Sequence, residues 1–93
     1  MVRSEEMSDT YYVYILQSLK DGRFYTGHTA NLKSRLARHN RGEVRSTKAR
    51  RPFSLIYWET LQSRREAMKR ERKVKSLKRR EKLKLIVEFK RVK

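Results

Sequence analysis

Residues 25–39 read YTGHTANLKSRLARH, and this stretch decides the fold. Tyr25-Thr26-Gly27 closes an aromatic and β-branched run of the kind that forms a strand. Thr29 or Asn31 can then cap a helix, because a short polar side chain accepts a hydrogen bond from an amide one turn on. The helix is expected to run to about Arg41, with Gly42 well placed to end it. Leu32 and Leu36 make its apolar stripe, and Arg35 and His39, one turn apart, flank that stripe.

Upstream, residues 11–17 read YYVYILQ, a strand without a breaker, and Asp21-Gly22 is a turn signal. Residues 23–27 return as the second strand of a hairpin. A two-residue turn would put Ser18 opposite Tyr25, leaving Tyr14 on the same face but about 13 Å along, at about 3.3 Å per residue. A longer loop would set the two tyrosines nearly opposite, and both registers stay open. Downstream, residues 42–52 form a cationic loop, and residues 53–59 (FSLIYWE) carry bulky side chains on both faces, as a central, well-buried strand does. Residues 62–76 favour a helix, with Glu66 paired to Arg70 and Glu71 to Lys75. A last helix over about 78–90, started by Ser76, should turn Leu83, Ile86, Val87 and Phe89 to the core. The order ββαβαα implies an α+β fold, a small three-stranded sheet made of an N-terminal hairpin and one central strand, with helices packed on it. A polar leader over residues 1–10 and a single domain over residues 11–93 are expected.

The chain has 93 residues and no cysteine, which excludes disulfides and thiolate metal sites. Lysine and arginine number 26 against 10 acidic residues, a net charge of +16. Such an excess points to a polyanionic partner, because neutralising phosphates releases condensed counterions. With no secretory signal and no apolar run of membrane-spanning length, a cytoplasmic location is expected.

Glu71 is the most informative acidic residue. It lies between Ala67 and Val74 on the inward face of its helix, where a carboxylate is costly unless a cation or donor meets it. It reads equally well as a ligand for Mg²⁺, which takes one or two carboxylates plus water and phosphate, and as a surface partner of Lys75. Tyr14 and Tyr25 read as core or as chemistry; a phenol with pKa about 10 needs cations or a metal beside it to act as a base near neutrality. Arg35 offers a planar fork for phosphate oxygens, and His39 could reach the same group; a solvated arginine and a half-buried histidine fit the spacing too. Gly27 and His28 would lie at the rim. Two histidines without further Cys or Asp ligands do not make a zinc site.

Taken in order, Tyr12-Val13-Tyr14, Tyr25-Thr26-Gly27, Arg35, His39 and Glu71 in KRERKVKSL resemble the signature of the GIY-YIG nucleases, in particular the small single-domain members related to the excision-repair incision subunit. The likeness spans Tyr12 to about Leu77. Tyr12 stands where the motif has its first glycine, Val13 and Thr26 where it has isoleucine; these positions mainly pack or turn the hairpin, so the fold is expected to survive. The resemblance implies a metal-dependent endonuclease acting on DNA more readily than RNA, with a repair or structure-selective role. It implies Tyr14 as general base with Tyr25 in support, Arg35 stabilising developing charge, His39 moving a proton or holding phosphate, and Glu71 holding one Mg²⁺ or Mn²⁺. Arg45, Lys48, Arg50 and Arg51 would grip flanking phosphates. The rival reading is a non-catalytic module bound to structured RNA or the ribosome. A third is a subunit whose specificity comes from a protein partner docked through Trp58 or the last helix. A monomer or weak homodimer is expected.

Overall fold

The computed structural model describes residues 10–92, so the expected leader lies, but for Thr10, outside the described residues. Strands β1 (Tyr11–Ser18) and β2 (Phe24–Thr29) form the hairpin, followed by helix α1 (Leu32–Asn40) and a short 3-10 turn over Lys48–Arg50. Strand β3 (Phe53–Leu61) and helices α2 (Arg64–Ser76) and α3 (Arg79–Val92) complete the order ββαβαα. All pairings are antiparallel, in the order β2-β1-β3.

The central strand is therefore β1, not β3 as expected. Both sheet faces are covered, which is why an edge strand can carry bulky residues on each side. On one face Tyr14, Leu16 and Phe53 pack with Leu32 and Leu36 of α1. On the other, Val13, Ile15 and Tyr57 pack with Ala67 and Val74 of α2 and Ile86 of α3. As the shared middle strand, β1 has Val13, Tyr14, Ile15 and Leu16 all buried.

The hairpin register falls between the two expected. Leu16 pairs with Tyr25 and Tyr14 with Gly27, so the tyrosines share a face two residues out of step. The cause is Ser18. Its hydroxyl accepts hydrogen bonds from the amides of Lys20 (3.0 Å) and Asp21 (3.1 Å) and donates to the Arg50 carbonyl (2.6 Å). That closes a loop over residues 19–23 in place of a two-residue turn, and Gly22 (φ +77°) supplies its left-handed step.

Asn31 caps α1, its side chain accepting from the Ser34 amide at 3.0 Å. At the other end Gly42 (φ +81°) donates to the His39 carbonyl and Glu43 to that of Arg38, a Schellman closure. Ser63 caps α2. Three expectations for the later helices need correction. Arg70 pairs with Glu59 of β3 (2.9 Å) rather than with Glu66. Helix α3 buries Ile86 and packs Leu85 and Phe89, leaving Leu83 and Val87 42% and 55% exposed. It starts at Arg79, where Glu81 accepts from the Lys78 amide, whereas Ser76 ends α2. Trp58 sits between Tyr12 and Phe89, at 6.0 and 5.8 Å between ring centres. Among the described residues no helix is long and apolar enough to cross a membrane.

Candidate active site

Four of the expected residues meet on the α1 face of the hairpin. The Tyr14 hydroxyl lies 3.1 Å from His39 Nε2, and Arg35 Nε donates to it at 3.4 Å. The Tyr25 ring is 5.0 Å from the His39 ring and 6.4 Å from that of Tyr14, centre to centre. Gly27, paired with Tyr14, makes the assembly sterically feasible: a Cβ there would come within 2.6 Å of the Tyr14 hydroxyl oxygen. Its role is close approach rather than an unusual backbone angle.

Access separates the two phenols. Tyr14 is 1% exposed, and burial, the dominant influence, raises its pKa above the usual 10 against the lowering effect of Arg35. Tyr25 and Arg35 are only partly buried. The Arg35 guanidinium is held firmly charged, first by its hydrogen bond to Tyr14 and further by Tyr25.

His39 is not at the flank of its helix as expected but wholly buried (0% exposed). The loop after α1 folds back over this end: Thr47 Oγ1 lies 2.8 Å from His39 Nδ1, and Phe53 stacks edge-on at 5.9 Å. Burial, reinforced by Arg35 and Arg38, pushes its pKa down to about 4, so it is a neutral imidazole near neutrality. With the Tyr14 pKa raised and that of His39 lowered to about 4, transfer of the phenol proton onto His39 is strongly disfavoured. In the free protein the proton stays on Tyr14.

Glu71 approaches from the opposite sheet face and meets this cluster at the outer edge of β2. His28, the residue after Gly27, hydrogen-bonds its Oε1, and Lys75 bonds Oε2 at 3.0 Å. The expected Lys75 pair is thus present, but the carboxylate is not simply a surface charge. Burial alone would raise its pKa; the hydrogen bonds from His28 and Lys75 outweigh that and hold it below the usual carboxylate range. Its charge reaches across β2 to Tyr14, where it adds to the raised pKa. Among the described residues no three His, Cys, Asp or Glu side chains gather as metal ligands. An ionised carboxylate with a free lone pair on each oxygen nonetheless suits a hard cation that keeps most of its waters.

Arg45, Lys48 and Arg51, with Lys20 from the hairpin loop, line a basic depression beside the loop after α1. Lys20 was not among the expected phosphate-gripping residues; folding of that loop onto Ser18 brings it there. Arg50 is partly buried, its carbonyl engaged by Ser18. Thr47 gives no sign of its role in the sequence, since a threonine in a cationic run carries no periodic signal.

A family model described as the GIY-YIG catalytic domain matches residues 10–84. A UPF0213 protein of Staphylococcus haemolyticus is 47% identical over 79 residues, covering 84% of this chain and 95% of that protein. A relative of the same name from Staphylococcus saprophyticus is 43% identical over 81 residues, covering 86% and 98%. The solution NMR structure of a UPF0213 protein from Bacillus halodurans, 40% identical, aligns with a TM-score of 0.53 over 84% of this chain and 83% of that one. The match spans both hairpin strands, α1 and the helix bearing Glu71, so the elements that deliver each candidate side chain are those of the family: the chain belongs to the GIY-YIG family of nucleases.

Proposed function

We propose that this protein is a metal-dependent endonuclease that hydrolyses phosphodiester bonds, in DNA in preference to RNA, as a structure-selective or repair enzyme of the cytoplasm. One observation carries the hydrolytic reading: Tyr14, Tyr25, Arg35 and His39 cluster against Gly27, and Glu71 reaches the same strand edge through His28. The +16 charge supports a nucleic-acid substrate.

Burial supports a different division of labour from the one the resemblance implied. Tyr14 is sealed behind Gly27 and Arg35, so Tyr25 is the phenol that water and substrate can reach. Tyr25, as phenolate, takes a proton from the attacking water while the water oxygen bonds to phosphorus and the far P–O bond breaks. Arg35 stands beside both phenols and stabilises negative charge growing on the phosphoryl oxygens. Tyr14 and His39 hold Arg35 from behind. Glu71 would hold Mg²⁺ or Mn²⁺, which when bound polarises the phosphate and stabilises the leaving oxygen. Arg45, Lys48 and Arg51 would contact flanking phosphates.

The test presents supercoiled, branched and single-stranded DNA and a structured RNA to the wild type, Arg35→Ala and Tyr25→Phe, with Mg²⁺, Mn²⁺ or EDTA. Metal-dependent cutting that falls about 10²-fold or more in each variant is the expected result. A wild type that cuts none of them, or variants that cut equally well, would leave a binding module rather than an enzyme.

A further inference from the structure

Behind Arg35 runs a hydrogen-bonded chain, Arg35–Tyr14–His39–Thr47–Val44, whose direction is set by its Arg35 end. Arg35 Nε only donates, so the Tyr14 proton cannot point at it; the other partner of that hydroxyl is His39 Nε2, at 3.1 Å. His39 Nε2 is therefore the bare, accepting nitrogen, and the ring proton sits on Nδ1. The far end accommodates the same arrangement. With the ring proton on Nδ1, Thr47 Oγ1 accepts it at 2.8 Å and turns its own proton to the Val44 carbonyl at 3.4 Å. Both His39 and Thr47 are 0% exposed, so solvent does not compete for these bonds.

We propose that Thr47 is a positioning residue of this centre: it fixes His39 as the Nδ1–H tautomer and, through Tyr14, aims Arg35. With His39 turned this way, the Tyr14 proton is drawn toward the imidazole and a phenol lone pair faces Arg35 Nε. That anchors the guanidinium by its inner nitrogen and orients the outer fork, which also meets Tyr25, for a phosphate. The opposite tautomer would set His39 Nε2–H and Arg35 Nε–H both against the Tyr14 oxygen. The phenol proton would then have no acceptor in a pocket closed by Gly27. His39 is kept neutral by its surroundings, so tautomer rather than charge is what Thr47 controls.

This inference deepens the hydrolytic reading, and only its kinetic arm rests on that reading. The experiment compares wild type, Thr47→Val (same shape, no hydroxyl) and Thr47→Ser (hydroxyl retained). Long-range ¹H–¹⁵N correlation spectra of the imidazoles are recorded at neutral pH, and kcat and KM are measured on whichever nucleic acid the wild type cuts. The expected wild-type spectrum has a pyrrole-type Nδ1 and a pyridine-type Nε2 for His39. Thr47→Val should shift His39 toward Nε2–H and lower kcat about 10- to 100-fold with little change in KM, the scale seen when a group that orients a functional side chain is removed. Thr47→Ser should restore both. A wild-type His39 protonated on Nε2 overturns the proposal, and so does a Thr47→Val protein with unchanged tautomer. If Thr47→Val does not fold, the wild-type and Thr47→Ser spectra still decide. If the wild type cuts nothing, the hydrolytic reading falls while the spectra judge Thr47 by themselves.

Discussion

His39 shows what a single residue's sequence context can and cannot reveal. Its spacing from Arg35 puts both on one helix face, but it was the ordered resemblance that marked the pair, since a solvated arginine and a half-buried histidine fit that spacing too. Its complete burial was not legible. That depends on Thr47 and Phe53 arriving from a loop and a strand, and no local periodicity encodes their return. The burial has a measurable consequence. An imidazole ordinarily titrating near 6.5 is held at about 4 in the folded protein. Between those values the unfolded chain binds more protons, so stability is fully present above about pH 6.5 and lost as pH falls toward 4. The loss from this group is about 3 kcal/mol at about 1.4 kcal/mol per pH unit. Urea unfolding of wild type and His39→Gln across that range should show the variant with the flatter pH dependence. Equal slopes would mean that His39 is not neutral and sealed.

Among the elements, those with strong local signals were readable: the hairpin strands, the Asn31-to-Gly42 helix and the Ala67/Val74 face of α2 all fold as their residues dictate. What failed were the properties that neighbours decide. Residues 53–59 look the same whether a strand is central or an edge with helices on both faces, and the sheet order made β3 an edge. On α3 Ile86 and Phe89 face inward as expected, but Leu85 and not Leu83 or Val87 joins them, because Phe89 packs on Tyr57, at 5.4 Å between ring centres, and on Trp58. The tyrosine register was settled by the Ser18 hydroxyl, not by Asp21-Gly22. Helix α1 carries both Arg35 and His39, so its cap bears on the site. Asn31→Ala should cost about 1 kcal/mol, read as a lowered thermal midpoint, while cleavage well below that midpoint is retained. An unchanged midpoint would show that the cap contributes nothing.

At the scale of the whole molecule, charge was the plainest message of the sequence, and the structure gives part of it a location. Lys20, Arg45, Lys48 and Arg51 converge beside the loop that also supplies Thr47, so the basic depression and the His39 contact share one segment. Replacing Arg45, Lys48 and Arg51 together by Ala should weaken nucleic-acid binding across sequences. It should also flatten the slope of log affinity against log salt by about one for each phosphate no longer neutralised. An unaltered salt slope would put the binding surface elsewhere. The site proper was legible only as an ordered set of residues. That Glu71 joins the other four from the far face of the sheet, around the Gly27–His28 edge, follows from the topology.

The proposal that these five residues act on one scissile phosphate is tested most directly by single-turnover cleavage as a function of Mg²⁺ concentration, wild type against Glu71→Gln. The wild-type rate should rise with Mg²⁺ to a plateau and vanish in EDTA, and the variant should lie about 10²-fold lower at every concentration. A Glu71→Gln protein that cuts at the wild-type rate with the same Mg²⁺ dependence would contradict the account.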